Sequence, residues 1–361
     1  MPSFDSINYA VRLKKNIERK LIADLLLSLN ETFATSNYQY IGMGSMWFTD
    51  FIVMHKELGI DTMWSIENAS PKRAAFNCPF GFINVIEGNV QDKVPALLKA
   101  DIRSVVWLDY DHDLEGIFRD LKQIGLRASC GDIFMVTANA HPAPIKPPPI
   151  GNINQMKNTI DQYLSEGLPM GELGQNMPTE NLALLLKETL AIIDTHYKRQ
   201  TISEKNRKFQ ELTGGVMPGS FANDDFSPQG FPKLIAAALI NALDSACRES
   251  GKNISFEPIF NFFYQDGAPM VTIGGMVVDK NHQNKLQGLN LPRKFFFATG
   301  KKQISIDVPH LTPQEKIKID SLVTIKGPKP VASDLSWEIK EDAVSNYCRF
   351  YKQYPLFSEI F

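Results

Sequence analysis

The chain has 361 residues, 43% hydrophobic and 22% charged, with a formal net charge of -2 and a pI near 6.3. That length and apolar content suffice for a large core or two domains, and the near-neutral charge excludes whole-molecule attraction to polyphosphate. No apolar run reaches the length of a membrane helix, and Cys78, Cys130, Cys247 and Cys348 are too far apart to predict a zinc site or a disulfide framework.

Met1 to Ser6 leads into a charged segment rather than a signal peptide, so a cytoplasmic protein without membrane contact is expected. Residues 1–35 form an N-terminal helical segment: over Ile7 to Asn30, Ile17, Leu21, Leu25 and Leu29 recur every four residues, a stripe suited to covering a sheet. The neighbouring Arg12, Lys14, Lys15, Arg19 and Lys20 read as a solvated face; the alternative is that some reach the acceptor site.

Residues 36–142 read as the core. A short apolar strand from Tyr38 runs into Gly42-Met43-Gly44-Ser45, where glycines allow a sharp turn and close approach to a ligand and Ser45 opens a helix. A second strand, Asp61 to Ile66, ends in Glu67-Asn68, with the carboxylate where nucleotide-binding folds hold ribose hydroxyls. Ile83 to Glu87 follows and leads to Asn89 and Asp92. Then come Ser104 to Leu108, ending in Asp109-Tyr110-Asp111-His112, and Asp132 to Thr137, ending in Ala138-Asn139. Leu114, Ile117, Phe118, Leu121 and Ile124 have helical spacing, with Gly125 as the expected stop. Alternating strands and helices predict a parallel α/β sheet. Gly42, Glu67, Asn89 to Asp92 and Asp109 to His112 should then converge beyond its carboxyl ends.

The proline run from His141 to Pro149 predicts a stiff loop or linker, either at the rim of that crevice shaping acceptor access or a plain spacer between core and insertion. Residues 143–230 join it to a helical insertion, with Leu182, Leu185, Leu186, Leu190 and Ile193 in register behind Thr179. Gly214-Gly215, Pro218-Gly219 and Asn223 to Asp225 mark a mobile loop after it. Such an insertion suits a lid or acceptor-binding element. Residues 231–280 end the core, with a helix over Pro232 to Ser250 and a hairpin around Asp266-Gly267. The extension 281–361 holds a strand-like Lys294 to Thr299 and a helix start at Leu311 to Glu315. Its aromatic run, Tyr347, Phe350, Tyr351, Tyr354, Phe357 and Phe361, is expected to pack on the core or on a second copy in a homo-oligomer.

KKNIERKLI (14–22), YIGMGSMWFTDF (40–51), SIE (65–67) and WLDYDHDL (107–114) resemble the class I S-adenosylmethionine (SAM) dependent methyltransferases, above all a bacterial group described as putative O-methyltransferases. The resemblance to the wider superfamily covers Tyr38 to Asn139 and the Phe256 to Asp279 hairpin. It implies a Rossmann-like seven-stranded sheet. It also implies SAM as cofactor, with Gly42 and Gly44 flanking its methionine part, Glu67 at the ribose, Asn89 or Asp92 at the adenine, and Ser45 and Asn68 also among the cofactor-binding residues. The chain departs from the superfamily pattern at Tyr40-Ile41, where an acidic residue is usual, and at Met46, where the third glycine would stand.

The same resemblance puts Asp109 beside the sulfonium carbon, with Asp111 or His112 to take the acceptor proton. The alternative is that Asp111 and His112 cap the following helix. LDYDH with TAN also resembles the catechol-type O-methyltransferases, but Ala138 replaces a carboxylate ligand of magnesium, and no metal is expected. A Pro-Pro-aromatic sequence after Asp109 is missing, which favours oxygen over amino nitrogen in an unidentified acceptor. Two other readings stay open. A nucleic-acid-modifying methyltransferase would join Arg12 to Lys20 with Lys198 to Lys208 in one basic surface, and an inactive methyltransferase-like scaffold would bind neither SAM nor its product.

Overall fold

The computed structural model describes residues 11–110, 114, 116–142, 145, 158, 161, 162, 165, 179–217, 219–289, 291, 302–326 and 340–355. The chain divides into two compact units, Met1–His141 with Gly230–Phe361, and Pro142–Gln229.

The first unit is built on a mixed sheet. Its strands are β1 (Gln39–Gly42), β2 (Met63–Glu67), β3 (Ile83–Glu87), β4 (Ser104–Asp109), β5 (Ile133–Asn139), β6 (Ser255–Asp266), β7 (Ala268–Val278) and β8 (Ile304–Ser305). They lie in the order β3-β2-β1-β4-β5-β7-β6-β8. Strands β1 to β5 are parallel, β7 runs antiparallel between β5 and β6, and the two-residue β8 pairs parallel with β6. Among the described residues the sheet has eight strands where seven are expected, and the strand-like Lys294 to Thr299 lies outside the described residues. Because the chain reverses its direction of growth between β1 and β4, a topological switch point falls at the ends of those two strands.

Helices α1 (Leu13–Phe33) and α2 (Thr49–Leu58) pack against each other, and α1 also packs on β6. Short α3 (Pro71–Asn77) and α4 (Val90–Leu97) follow β2 and β3, and α5 (Ile117–Arg127) follows β4. Gly125 lies inside α5 rather than closing it. A Cβ there would come 2.5 Å from that of Ala246, so the glycine sets how closely α5 approaches a helix of the second half of the unit. The first turn of α1 has no side-chain cap of its own; the Lys15 N–H donates to Asp266 Oδ2 at 2.9 Å, a carboxylate brought from the β6–β7 turn.

Helix α6 (Thr179–Thr213) belongs to the second unit and contains Leu182 to Ile193. The segment after it, expected to be mobile, folds back onto its last turns. Phe209 meets Phe221 and Phe226 edge to face at 5.2 and 6.1 Å, and Asn206 bonds both the N–H and the carbonyl of Phe221. Of the proline run only His141, Pro142 and Ile145 are described.

The chain re-enters the first unit through α7 (Phe231–Glu249), which carries Ala246 and packs on α5. Helices α8 (Lys280–Gly288), α9 (Pro313–Lys326) and α10 (Glu341–Phe350) complete it. Thr312 and Glu315 cap α9 reciprocally, Thr312 N–H to Glu315 Oε2 and Glu315 N–H to Thr312 Oγ1. Tyr347, Phe350 and Tyr354 are buried and Gln353 donates to Asp24 of α1, so these aromatics pack onto their own core; Phe357 and Phe361 lie outside the described residues.

Candidate functional site

Four parallel strands deliver their last residues to one edge of the sheet. Gly42 pairs with Ser65 and with Trp107, Glu67 with Glu87, and Asp109 with Thr137, so the ends of β1, β2, β3 and β4 are level within about a residue or two.

The loop after β1 is fixed from within. Gly44 N–H donates to the buried Ser65 Oγ at 3.0 Å, and a Cβ on Gly44 would come 2.6 Å from both Ser65 Oγ and the Phe48 ring. Gly42 lies over the Tyr40 hydroxyl, which donates to Asp50 at 2.6 Å. Both glycines therefore serve internal packing, whatever else they touch. Ser45 does not open the helix. It adopts φ 53° in a turn that also holds Phe48 at φ 47°, and α2 starts only at Thr49. Its hydroxyl is enclosed and has no hydrogen-bond partner among the described residues.

Glu67 is only 8% exposed. Its Oε1 accepts the Ala69 and Ser70 N–H groups at 3.0 and 3.3 Å, which orients the carboxylate, while Oε2 has no partner among the described residues. The β3 end is latched alongside, with Gly88 N–H on Glu67 O and the exposed Asn68 amide donating to Asn89 Oδ1 at 2.9 Å. Asn89 precedes α4 and Asp92 is exposed in its first turn. The structure thus brings Gly44, Ser45, Glu67, Asn68, Asn89 and Asp92 to one edge.

Asp109 points to the face covered by α1, whereas Tyr110 points to the other and donates to Asp120 of α5 at 2.9 Å. On the α1 side stands a cluster of charges from the run read either as a solvated face or as partly reaching the acceptor site. Lys15 is fully buried, with Nζ 2.8 Å from Glu18 Oε2 and 2.9 Å from Asp109 Oδ2, 4.7 Å above the Trp107 ring and 5.6 Å from that of Tyr264. Arg19, also buried, acts on Asp50, as does the Tyr40 hydroxyl. Lys14 pairs with Asp307, so of the five cations of this run Lys15 and Arg19 are interior and Lys14 is bridged. Burial raises Glu18 above the usual carboxylate range against the pull of Lys15, and raises Asp50 against that of Arg19. It also pushes the Tyr40 and Tyr264 phenols far up.

Behind the cluster, Trp107 Nε1 donates to Thr137 Oγ1, which meets Thr272 Oγ1 at 2.8 Å. Polar groups of β4, β5 and β7 thus meet in the sheet core, and the Lys15 pair ends on a carboxylate, Asp109, whose side chain is 28% exposed. Buried charge of this density is costly unless each group is paired, and it marks functional sites. One signal was present in the sequence: Lys15, Glu18, Ile22, Leu25 and Leu29 repeat at three and four residues, so the first two extend the apolar stripe.

Asp111 and His112 lie outside the described residues. Asn139 Oδ1 accepts the His141 N–H at 2.8 Å, and Ala138 is fully buried. At the other end of the sheet the tertiary fold gathers Cys130, Asp279 and His282, ligand types the sequence spacing keeps apart. Among the described residues no helix is long and apolar enough to cross a membrane.

No curated protein matches the sequence. Among solved structures, similar chains include cofactor-bound Rv0187 from MTB (14% identity, 45% of this chain, 70% of that one, TM-score 0.26). Two more are PigF with SAH (11%, 70% and 60%, 0.28) and an O-methyltransferase family protein from Burkholderia thailandensis (9%, 73% and 60%, 0.28). This chain spans only 60% of the length of the latter two, and likeness at these scores carries no argument of its own. The sequence itself is decisive: the family model described as "Putative O-methyltransferase" matches residues 7–361, nearly the whole chain, and the protein belongs to that family.

Proposed function

We propose that this protein transfers a methyl group from SAM to an oxygen of its acceptor, at the switch point between β1 and β4. Membership of the O-methyltransferase family supports the reaction class. The observation that carries the site is the meeting, on one sheet edge, of a tight glycine loop, an oriented carboxylate and a partly exposed acid held by a buried lysine.

The residues present fit the cofactor. Glu67, fixed through Oε1, offers Oε2 to a ribose hydroxyl, and the Asn68–Asn89 amide pair offers polar groups to an adenine edge. The Gly44 loop lines the methionine end. SAM supplies an electrophilic methyl on its sulfonium. The chain's own part is to hold the acceptor oxygen in line with that methyl and to accept its proton.

Asp109 serves that part. Lys15 fixes one carboxylate oxygen by a 2.9 Å ion pair, leaving the exposed portion to orient or deprotonate a hydroxyl. Glu18 balances Lys15, so the ammonium does not stand in the core as an uncompensated charge. A hydroxyl needs such a base more than a neutral amine does, which favours oxygen as the acceptor atom.

Titration calorimetry with SAM and with S-adenosylhomocysteine tests the reading. Binding of both is expected, with Asp109→Asn preserving affinity and losing turnover. Silence toward both ligands would overturn it in favour of a scaffold that keeps only the fold.

A further inference from the structure

Far from the crevice, at the amino end of β5, three side chains of different chemistry converge. Cys130 sits in the turn between α5 and β5, Asp279 follows β7, and His282 lies in the first turn of α8. Strand β7 runs antiparallel to β5 with Met276 opposite Ile133, so the end of one meets the start of the other. The Asp279 N–H accordingly donates to Cys130 Sγ at 3.1 Å across 149 positions of sequence. Ligand atoms of the three residues, a sulfur, a carboxylate oxygen and an imidazole nitrogen, all lie within 4.8 Å of one another, and each residue is half-buried.

Helix capping accounts for part of this arrangement. Asp279 Oδ1 accepts the His282 N–H at 2.8 Å, as an N-cap should. A cap needs neither the imidazole, whose Nδ1 stands 2.9 Å from the same oxygen, nor a thiol brought from another strand. Phe33, the last residue of α1, stacks on the His282 ring at 5.9 Å and 19°, which restrains the ring toward the other two groups.

We propose that Cys130, Asp279 and His282 bind a single divalent zinc ion, with water as the fourth ligand. The donor set decides the metal: thiolate, imidazole and carboxylate together suit zinc, whereas magnesium and calcium select oxygen alone. Bond lengths of about 2.0–2.3 Å place tetrahedral ligand atoms roughly 3.3–3.7 Å apart, so the cluster closes by side-chain rotations of about an ångström. Binding converts the Cys130 thiol to a thiolate and releases one proton to solvent. Burial otherwise pushes that thiol up to about 11, so the metal rather than neutral pH removes the proton. The ion joins the α5–β5 turn, the end of β7 and the start of α8, at the end of the sheet opposite the proposed methyl transfer.

The test uses the full-length protein, stripped with a chelator and titrated with cobalt(II), then displaced with zinc. A thiolate-to-cobalt charge-transfer band saturating at one equivalent, bleached by zinc, with a rise in Tm on zinc addition, is expected. Cys130→Ser should abolish the band, and His282→Gln should weaken binding at least ~10-fold. Asp279→Asn, which keeps the cap acceptor, should do the same, each variant being checked as folded by circular dichroism without metal. Absence of the band in the parent protein would overturn the proposal. So would a band that survives Cys130→Ser, or unchanged affinity in folded His282→Gln and Asp279→Asn.

Discussion

At the scale of single residues, Lys15 holds the site together. It is one cation between two carboxylates, and replacing it by Met leaves Glu18 and Asp109 facing each other in low dielectric. Lys15→Met should therefore lose about 3–5 kcal/mol in denaturant unfolding, the usual cost of orphaning a buried charge, and Lys15→Met with Glu18→Gln should recover part of it. Equal losses in the single and double variants would show that the Lys15–Glu18 pair is not coupled. Glu67→Ala should weaken SAM binding by roughly 1.5–3 kcal/mol, as for hydrogen bonds to a charged group, and unchanged affinity would remove Glu67 from the cofactor site. Asp132 gives a pH signature. Burial raises its carboxyl to about 6, although it accepts N–H groups of Ser104 and Ser129. The folded state then binds a proton more tightly than the unfolded one, so this contribution is complete below about pH 4 and is lost as pH rises toward 6. Asp132→Asn should flatten the stability profile over that window in unfolding measured from pH 4 to 7.

At the scale of elements, how much was legible depends on how local the cause is. The α9 cap was readable because Thr312 and Glu315 satisfy each other within one turn. The hairpin was readable because Gly267, at φ 112°, takes a backbone conformation that other residues rarely adopt. Gly125 was misread because its reason lies on α7, more than a hundred residues away. Ser45 was misread because nothing local announces two left-handed residues before α2. The glycines of the first loop are held by packing: Gly44→Ala would drive a methyl against Phe48 and Ser65 and should cost about 1–3 kcal/mol. A loss of SAM affinity without any change in Tm would instead mean that Gly44 acts on the ligand alone.

At the scale of the whole molecule, ligand linkage offers the broadest check. A cofactor that binds only the folded first unit should add about 2.7 kcal/mol to its stability at a hundred times Kd. Thermal scans with and without SAM measure this, and an unmoved Tm at saturating SAM would contradict the proposed site. Strand order and site position came together here. The sequence fixes the kind of element everywhere that hydrophobic period and turn chemistry act within a few residues, and it fixes the carboxyl-end location of Gly42, Glu67 and Asp109, because a parallel sheet leaves no other edge for them. Only the tertiary structure decided that Lys15 and Arg19 are interior, that Asp266 caps α1, and that Cys130 meets His282. Those facts depend on which distant segments come into contact, and long-range pairing leaves no periodic trace in the chain that makes it.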